Sequence, residues 1–409
     1  MSQRERPVPS LSVTTIAVPD PGSLLGFLPP EGQLLWSRRG DGLIGVGTAL
    51  RLEFSGSDRF TDAAAAWRAV AERAQVTDPI DEPGSGLIAI GSFAFSDRSA
   101  ASSVLIVPSV VIGRRGGRAW LTSVDCDAAM PPELESPAES QLSFEPGTLS
   151  PVGYVSAVSE GIARIRNGEL SKVVLARDLV ADAAGMDVRA ALSALATGYP
   201  DCWTFAVDGF LGSSPETLVS VHGGTVSARV LAGSGARGTD VASDQAASVA
   251  LATSAKDQDE HEYAVQSVLA ALRPHSPGVR ASEVPFTLKL PNLWHLASDV
   301  EGPLDDGSSS LDLVAALHPT AAVAGTPTAE AVAVIEELEP FDRGRYAGPV
   351  GWVGADGDGE WAIALRCAQL ERDGRLRAFA GAGIVAESVA EHELAETSMK
   401  FRPIIEAFT

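Results

Sequence analysis

Strand-like segments in this sequence follow one another directly and are joined by short turns. Segments such as CWTFAVDG, TLVSVHGG and TVSARVLAG, and later AGPVGWVG, WAIALRCAQL and LRAFAGAG, are short and rich in Val, Ile and aromatic residues, with turns such as HGG and ADGDG between them. Because parallel strands need long crossovers and antiparallel strands do not, the order of segments predicts an α+β fold with antiparallel sheets. It argues against a doubly wound parallel sheet.

Helical spacing of apolar residues predicts helices between these runs. In FTDAAAAWRAVAERA, Thr61 is the expected N-cap, and Ser150 followed by Pro151 has the chemistry of a second helix start, with an end near Gly168. KVVLARDLVA and LWHLAS predict strands, as do GLIGVGTALRLEF, SGLIAIGSFAF and SSVLIVPSVVIG nearer the N-terminus. Further helices are expected over residues 187–197, 243–272, 309–317, 328–338 and 388–407.

A Pro-, Glu- and Ser-rich stretch over residues 127–150 has no hydrophobic period. Such composition is typical of a linker or a long surface excursion. We interpret it as a seam, with residues 1–149 forming a strand-rich segment of the same domain that continues over residues 150–409.

The composition argues against a nucleic acid or an anionic membrane as partner. The chain carries 31 Lys and Arg against 53 Asp and Glu, a formal net charge of −22, whereas phosphate binding depends on clustered positive charge. No apolar stretch approaches the roughly 18 residues that span a bilayer, and the N-terminus lacks the apolar core of a signal peptide. Cys126, Cys202 and Cys367 have no CxxC spacing, so we expect a cytoplasmic protein.

The string Gly233-Ser-Gly-Ala-Arg-Gly238 matches GxGxxG and follows a predicted strand. A dinucleotide site would also need a helix opening directly after it and parallel βαβ units around it, and neither is predicted. The alternatives are a tight loop at a strand end, or a cradle in which backbone N–H groups approach a carboxylate.

Two predicted helices each present charged residues on one face: Asp257, Glu260 and His261 on one, and Glu393, Glu396 and Lys400 on the other. Each face alone is typical of a solvated surface. Together they could hold Mg²⁺, with waters and an anionic substrate completing its shell.

Three further residues each allow a structural and a catalytic interpretation. Lys172 begins the apolar strand KVVLARD; such a lysine usually extends into solvent, but withdrawn from water it can act as a general base. Glu216 follows a proline in a turn and is either an exposed carboxylate or, in a dry site, a general acid. Arg366, among apolar residues of AIALRCAQL, needs an anionic partner, either structural or a ligand carboxylate.

A set of strings over about residues 150 to 405, in this order, resembles the chorismate-utilising enzymes and within them the isochorismate synthases: LSKVVLARD, LGSSPETLV, VLAGSGARG, SAKDQDEHE, LWHLASDVEG, LHPTAAVAGTP, ELEPFDRGRYAGPVGWV, WAIALRCAQL, FAGAGIV and EHELAETSMK. The resemblance implies one large domain of two packed antiparallel sheets with helices outside, in which residues 150–409 bind chorismate. It implies an Mg²⁺-dependent isomerase that adds water at ring carbon 2 of chorismate while the hydroxyl at ring carbon 4 leaves.

The resemblance also implies roles for single residues. Lys172 would be the base that activates the water, and Glu216 the acid that protonates the departing hydroxyl. The metal would be held by Glu260 and Glu396, with Glu393 beside it. Contacts with the substrate are implied for a third group: Gly233, Ser234, His295, Tyr346, Arg366, Gly383 and Lys400.

Two positions distinguish reactions within this family. Lys172 fits members whose nucleophile is water, since ammonia users such as anthranilate synthase carry glutamine there. Ala232 lies where aminodeoxychorismate synthases have a lysine that attacks the ring. The nearest alternative is a salicylate synthase, which shares the lysine and goes on to eliminate pyruvate.

Other classes of function fit the sequence less well. These are a nucleotide-dependent oxidoreductase built on GxGxxG, and a catalytically silent homologue that acts as a binding module. The latter would lack one of the implied catalytic or metal-binding residues, and all are present. The resemblance leaves three uses for the product, in menaquinone, salicylate or catechol siderophore biosynthesis, and a monomer is the working hypothesis.

Overall fold

A computed structural model describes residues 9–127, 129–135, 137, 141–289 and 293–409. The strands in the first part of the chain are β1 (Ser12–Val18), β2 (Leu34–Arg38), β3 (Asp41–Val46), β4 (Leu50–Phe54), β5 (Gln75–Thr77), β6 (Ile88–Ser92), β7 (Ser103–Val107), β8 (Val110–Arg115), β9 (Arg118–Val124) and β10 (Glu145–Pro146). Those that follow are β11 (Lys172–Asp182), β12 (Trp203–Val207), β13 (Phe210–Ser214), β14 (Thr217–His222), β15 (Thr225–Ala236), β16 (Arg280–Ala281), β17 (Phe286–Lys289), β18 (Leu293–Pro303), β19 (Gly325–Thr326), β20 (Pro349–Gly354), β21 (Gly359–Ile363), β22 (Cys367–Leu370) and β23 (Arg375–Ile384).

The α-helices in the described part of the chain are α1 (Arg59–Arg73), α2 (Pro151–Arg166), α3 (Arg189–Gly198), α4 (Val241–Thr253), α5 (Ala255–Leu272), α6 (Ser310–Leu317), α7 (Thr328–Leu338) and α8 (Ala390–Ala407). Among the residues described, no helix is both long and apolar enough to cross a membrane.

The strands form two sheets. The larger sheet has the order β10-β11-β23-β22-β13-β12-β2-β3-β8-β9-β1-β5, with β19 beside β11, and the smaller has the order β16-β18-β15-β14-β21-β20-β6-β7-β4, with β17 beside β18. The β1–β5 pair is parallel, and the other pairs described are antiparallel, which confirms the predicted α+β class. Strand β2 pairs with β12 and β6 with β20, so both halves of the chain contribute to each sheet.

Alternation along β2 shows how the sheets pack. Leu34 and Trp36 are buried between the sheets, where the Trp36 indole Nε1 donates to Glu360 Oε2 of β21 at 3.0 Å. Leu35 points the other way, into a second apolar cluster with residues of α3 and α8. Because successive side chains of a strand face opposite sides, β2 contributes to the apolar cluster between the sheets and to the one under α3 and α8. Helices α1, α5 and α6 pack on the smaller sheet.

The start of α2 confirms its prediction. The Ser150 side chain accepts a hydrogen bond from the Gly153 N–H at 3.1 Å, Pro151 opens the helix, and Gly168 follows its end with φ of 80°. The predicted cap of α1 is wrong. Thr61 lies inside the first turn and donates to the Asp58 carbonyl, so Asp58 occupies the N-cap position.

Four predicted elements are each divided in the structure. GLIGVGTALRLEF forms β3 and β4, and SSVLIVPSVVIG forms β7 and β8, with one strand of each pair in each sheet. The helix expected over 243–272 is two helices, because Ser254 ends α4 and its side chain accepts from the Asp257 N–H at the start of α5. The strand expected over WAIALRCAQL is β21 of the smaller sheet and β22 of the larger one. Arg366 lies at the crossing, with φ of 48°, and is therefore not a strand residue as predicted.

Candidate active site

A polar pocket of about 460 Å³ lies where β11 and β23 of the larger sheet approach β15 and β18 of the smaller one, with α5 and α8 beside them. Its volume falls within the usual range for small-molecule sites. It brings together nearly all the residues predicted for the site: Lys172, Glu216, Gly233, Glu260, His295, Tyr346, Arg366, Gly383, Glu393, Glu396 and Lys400. Ser234 contributes backbone opposite His295 in the β15–β18 pair, and its side chain lies outside the described part.

Lys172 enters the pocket from the first position of β11. Its Nζ donates to Glu260 Oε1 at 2.6 Å, and the lysine side chain is 21% exposed. The lysine therefore faces the cavity and does not extend into solvent. The contact also joins the larger sheet to α5, which carries Glu260.

Glu216 lies between β13 and β14, directly after Pro215, as predicted. Its backbone is fixed on both sides, since its N–H donates to Ser214 Oγ and its carbonyl accepts from the Ile363 N–H. Burial raises the pKa of the carboxyl group to about 7, against the opposing effect of nearby Arg366 and lysine charges. A carboxyl group with this pKa can carry a proton near neutral pH and deliver it to a leaving group.

Arg366 faces the same pocket from the crossing between the sheets. Among the residues that the structure describes, it has no ion-pair or hydrogen-bond partner for its guanidinium group. A half-buried guanidinium without a carboxylate partner suits an anionic ligand, because it presents donors in a fixed fork. Of its two predicted interpretations, the structure favours the ligand carboxylate.

Helix α8 supplies the acidic and basic residues of the opposite wall. Lys400 Nζ donates to Glu396 Oε1 at 2.6 Å, one helical turn away, and to the Gly381 carbonyl at 2.9 Å. Burial lowers the pKa of Lys400 and raises that of Glu393. The spacing predicted from the sequence therefore does place all three side chains on one face, toward the pocket.

A β-bulge shapes the wall beside α5. In the β15–β18 pairing, Ala232 is opposite Leu296 and Ser234 is opposite His295, so Gly233 is the additional residue, with φ of 78°. Bulges of this kind favour glycine, because other residues are strained at positive φ. The His295 ring also lines the pocket, and burial lowers its pKa to about 4, so the ring is neutral near pH 7.

Tyr346 and the glycines of β23 form the floor. Tyr346 is 3% exposed and stacks on Phe379, with ring centroids 5.3 Å apart. A Cβ on Gly381 would lie 2.8 Å from the Tyr346 hydroxyl, and one on Gly383 would lie 3.1 Å from Lys172 Cε. Both glycines therefore leave room for neighbouring functional groups.

The carboxylates suit a hard divalent cation only in part. Glu260 and Glu396 come from two helices and each already holds an ammonium group at 2.6 Å, so positive charge is accommodated at both. Within the described residues, however, there is no group of three or more metal-ligating side chains close enough to form a site. The donor chemistry fits Mg²⁺ if waters and a ligand supply the remaining oxygens.

Sequence reasoning missed other lining residues. His392 of α8 faces the pocket, and Phe379 forms part of the floor. Asp257, which the helical spacing predicts on one face with Glu260 and His261, lines the pocket as well. His261, in contrast, points away. Its ring contacts the Ala232 carbonyl and Ser298 and is 2% exposed, so it has a structural role.

The GxGxxG string has a structural explanation. Gly233 forms the bulge, and the loop that ends at Gly238 closes on Asp244, which accepts hydrogen bonds from Arg237 and the Gly238 N–H. Both strands beside β15 run antiparallel to it. The dinucleotide hypothesis therefore has no parallel βαβ unit to support it.

A carboxyl group that can carry a proton, a lysine facing it across a polar pocket and an unpaired guanidinium define an enzyme-type site for a small anion. A sequence model of the family described as chorismate binding enzyme matches residues 13–409. The chain belongs to this family.

Individual relatives agree with the assignment. Isochorismate synthase DhbC of Bacillus subtilis (strain 168) is 44% identical over 270 residues, which are 63% of this chain and 68% of that protein. The salicylate biosynthesis isochorismate synthase of Pseudomonas aeruginosa is 31% identical over 412 residues, 92% of this chain and 84% of that protein. The structure of MenF, the menaquinone-specific isochorismate synthase of Escherichia coli, matches with a TM-score of 0.82 at 25% identity, covering 100% of this chain and 97% of that one.

Proposed function

We propose that the protein is an isochorismate synthase, an isomerase that converts chorismate to isochorismate with Mg²⁺. The observation that carries this proposal is the convergence of Lys172, Glu216 and Arg366 on one pocket, from three separate segments of the chain. The names of the relatives support it. Residues 1–149 would complete the scaffold and residues 150–409 would hold the site, since every residue lining the pocket lies at or beyond Lys172.

The residues divide the reaction between them. Lys172 takes a proton from water, whose oxygen bonds to ring carbon 2, and Glu216 gives its proton to the hydroxyl that leaves ring carbon 4. Arg366, Lys400, Tyr346 and the backbone at Gly233, Ser234 and Gly383 hold the substrate carboxylates, while the neutral His295 ring faces the substrate ring.

Glu260 and Glu396 would hold Mg²⁺, with Glu393 beside it. When bound, the ion would neutralise a substrate carboxylate in a pocket that is otherwise rich in acidic groups. Lys172 and Lys400 occupy these two carboxylates in the structure. Each lysine contacts Oε1 of its carboxylate, so the second oxygen of each would be available to the ion.

Product identification tests the proposal directly. The purified protein is incubated with chorismate and Mg²⁺, and the products are separated and identified by NMR. Isochorismate alone is the expected product. Salicylate with pyruvate would identify a salicylate synthase, and no conversion of chorismate would overturn the proposal. The relatives are named for two different pathways, menaquinone and salicylate biosynthesis. The proposal therefore names isochorismate as the product and assigns no pathway.

Substitution of the base is the first prediction. Lys172→Ala is expected to abolish turnover, a loss of at least about 100-fold, because it removes the group proposed to take the proton from water. Binding of chorismate, measured by calorimetry, should change far less, since the carboxylates are held by other residues. Activity retained above pH 7 would contradict the assignment of Lys172.

Substitution of a metal ligand is the second prediction. Glu396→Gln removes one of two protein carboxylates and should weaken Mg²⁺ binding by about 10- to 100-fold. Glu391→Gln is the matched control, because Glu391 is exposed on the same helix and does not line the pocket. Equal Mg²⁺ affinity in the two variants, measured by calorimetry, would remove Glu396 from the metal site.

A further inference from the structure

A second cleft lies behind Glu216, on the side of the smaller sheet that faces α5. It has a volume of about 200 Å³ and is lined by both strands that flank a gap in the sheet, by α5, and by the chain after α6. Glu216, Leu231 and Ala322 line this cleft and the catalytic pocket alike. We call it the rear cleft.

The gap exists because two neighbouring strands separate. Strands β14 and β15 pair only over Ser220–His222 and Thr225–Ser227, next to their turn. Beyond this point β15 continues to pair with β18, and β14 with β21. The residues of β14 next to Glu216 therefore have no hydrogen-bonded partner in β15, and the cleft occupies the space between them.

The rear cleft extends from half-buried Glu216 to residues that are exposed to solvent. Its outer end includes Ser267 of α5 and Ala316 of α6, which are both exposed. Along it lies Thr320, whose buried Oγ1 has no hydrogen-bond partner within the described protein. A buried hydroxyl usually has a partner, so an unpaired one in a cleft of this size indicates a place for water.

The proposed reaction leaves Glu216 without its proton. In each turnover Lys172 gains a proton from the attacking water and Glu216 loses one to the departing hydroxyl, which becomes water. Before the next turnover, Lys172 has to release one proton and Glu216 has to take one up. While a substrate or product fills the front pocket, the rear cleft is the other space that Glu216 faces.

Resting on the proposed function, we propose that the rear cleft is the path by which Glu216 regains its proton from solvent, with Thr320 as a positioning residue for the water in it. This role needs no direct contact between Thr320 and the substrate. With this path, Glu216 is reprotonated through the rear cleft, while substrate enters and product leaves through the catalytic pocket.

Closing the outer end tests the path. Ser267→Phe places a ring at the mouth, and Gln266→Phe places the same ring on the neighbouring exposed position of α5, which does not line the cleft. Ser267→Phe should lower the steady-state kcat by about tenfold, with an unchanged single-turnover rate and a burst of product equal to the enzyme. Gln266→Phe should behave like the wild-type protein.

Removal of one hydroxyl tests the role of Thr320. Thr320→Val should lower kcat by about threefold with KM unchanged, because it removes the hydroxyl group that the proton path needs. Thr320→Ser keeps the hydroxyl group and should restore kcat. Ser276→Ala is the matched control, since Ser276 also has a buried, unpaired hydroxyl and lies outside the cleft.

The outcomes separate this proposal from the function on which it rests. An unchanged kcat in Ser267→Phe, or a fall in its single-turnover rate equal to the fall in kcat, would overturn the path and leave the isochorismate synthase intact. Absence of chorismate conversion by the wild-type protein would overturn both.

Discussion

The role of Glu216 depends on the folded environment of its carboxyl group and not on its local sequence alone. The sequence identifies a carboxylate after a proline, and this is compatible with an exposed turn or with a general acid. Which of the two applies depends on the pKa of Glu216, which burial raises and the charge of Arg366 lowers. Distant parts of the chain provide both effects. Residue type and local spacing could therefore nominate Glu216, Lys172 and the α8 residues, whereas the proton affinity of Glu216 could not be predicted.

A pH-dependent stability difference follows at the residue scale. The folded-state pKa of Glu216, about 7, lies above its usual value of 4.5. Its contribution to stability is therefore complete below pH 4.5 and is lost as the pH rises through 7. Glu216→Gln escapes this loss, so its free energy of unfolding should rise relative to wild type by about 3 kcal/mol between pH 4.5 and 8.5.

Urea unfolding at the two pH values measures this change. Glu391→Gln serves as the control, because Glu391 is exposed. Its free energy of unfolding should differ little from that of wild type at either pH. The same stability gap for Glu216→Gln at pH 4.5 and pH 8.5 would contradict the raised pKa.

At the scale of elements, the sequence predicted most helices and strands and failed where the chain changes its partner. Residues 328–338 were expected to form a helix and form α7. The single strand predicted through Arg366 fails because apolar residues continue without a break while the chain passes from one sheet to the other. Hydrophobic periodicity reports burial, and it does not report which sheet provides it.

Strand β23 supports a prediction about the position of the base. Gly383 is opposite Val174 of β11, and a methyl group there would lie 3.1 Å from Lys172 Cε. Gly383→Ala should displace the lysine by a few tenths of an ångström and lower kcat about tenfold, because proton transfer depends on close alignment. The free energy of unfolding should change by less than about 1 kcal/mol, since alanine suits an extended strand.

Gly235→Ala is the control for this change. Gly235 lies in β15, where an added Cβ has its nearest neighbour at 3.8 Å. Its kcat should equal that of wild type. If Gly383→Ala also keeps the wild-type kcat, the glycine is not required for the position of Lys172.

At the scale of the whole molecule, the sequence predicted the sheet type but not the way the two halves of the chain are combined. The sequence predicts a strand-rich segment of the same domain over residues 1–149, without the strands that it pairs with. In the structure, β2 lies beside β12 and β6 beside β20, so the first half completes both sheets. Such pairings join residues more than 100 positions apart, and no local pattern records them.

Glu360 joins the two sheets through one buried carboxylate. It lies in β21 of the smaller sheet and accepts hydrogen bonds from the indole of Trp36 and the guanidinium of Arg115, both in the larger sheet. Trp352 and His222 complete its partners. Although burial acts in the opposite direction, the His222 hydrogen bond and the Arg115 charge hold the pKa of Glu360 at about 2.

The contact between the sheets should therefore weaken in acid. Because the pKa of Glu360 is lowered from 4.5 to about 2, its contribution is complete above pH 4.5 and is lost as the pH falls through 2. Glu360→Gln should be less stable than wild type at pH 7 by about 3 kcal/mol, and the gap should shrink by about 2 kcal/mol at pH 3. Urea unfolding at both pH values measures it, with the exposed Glu301→Gln as control. A gap that does not change with pH would show that Glu360 packs between the sheets without joining them through its charge.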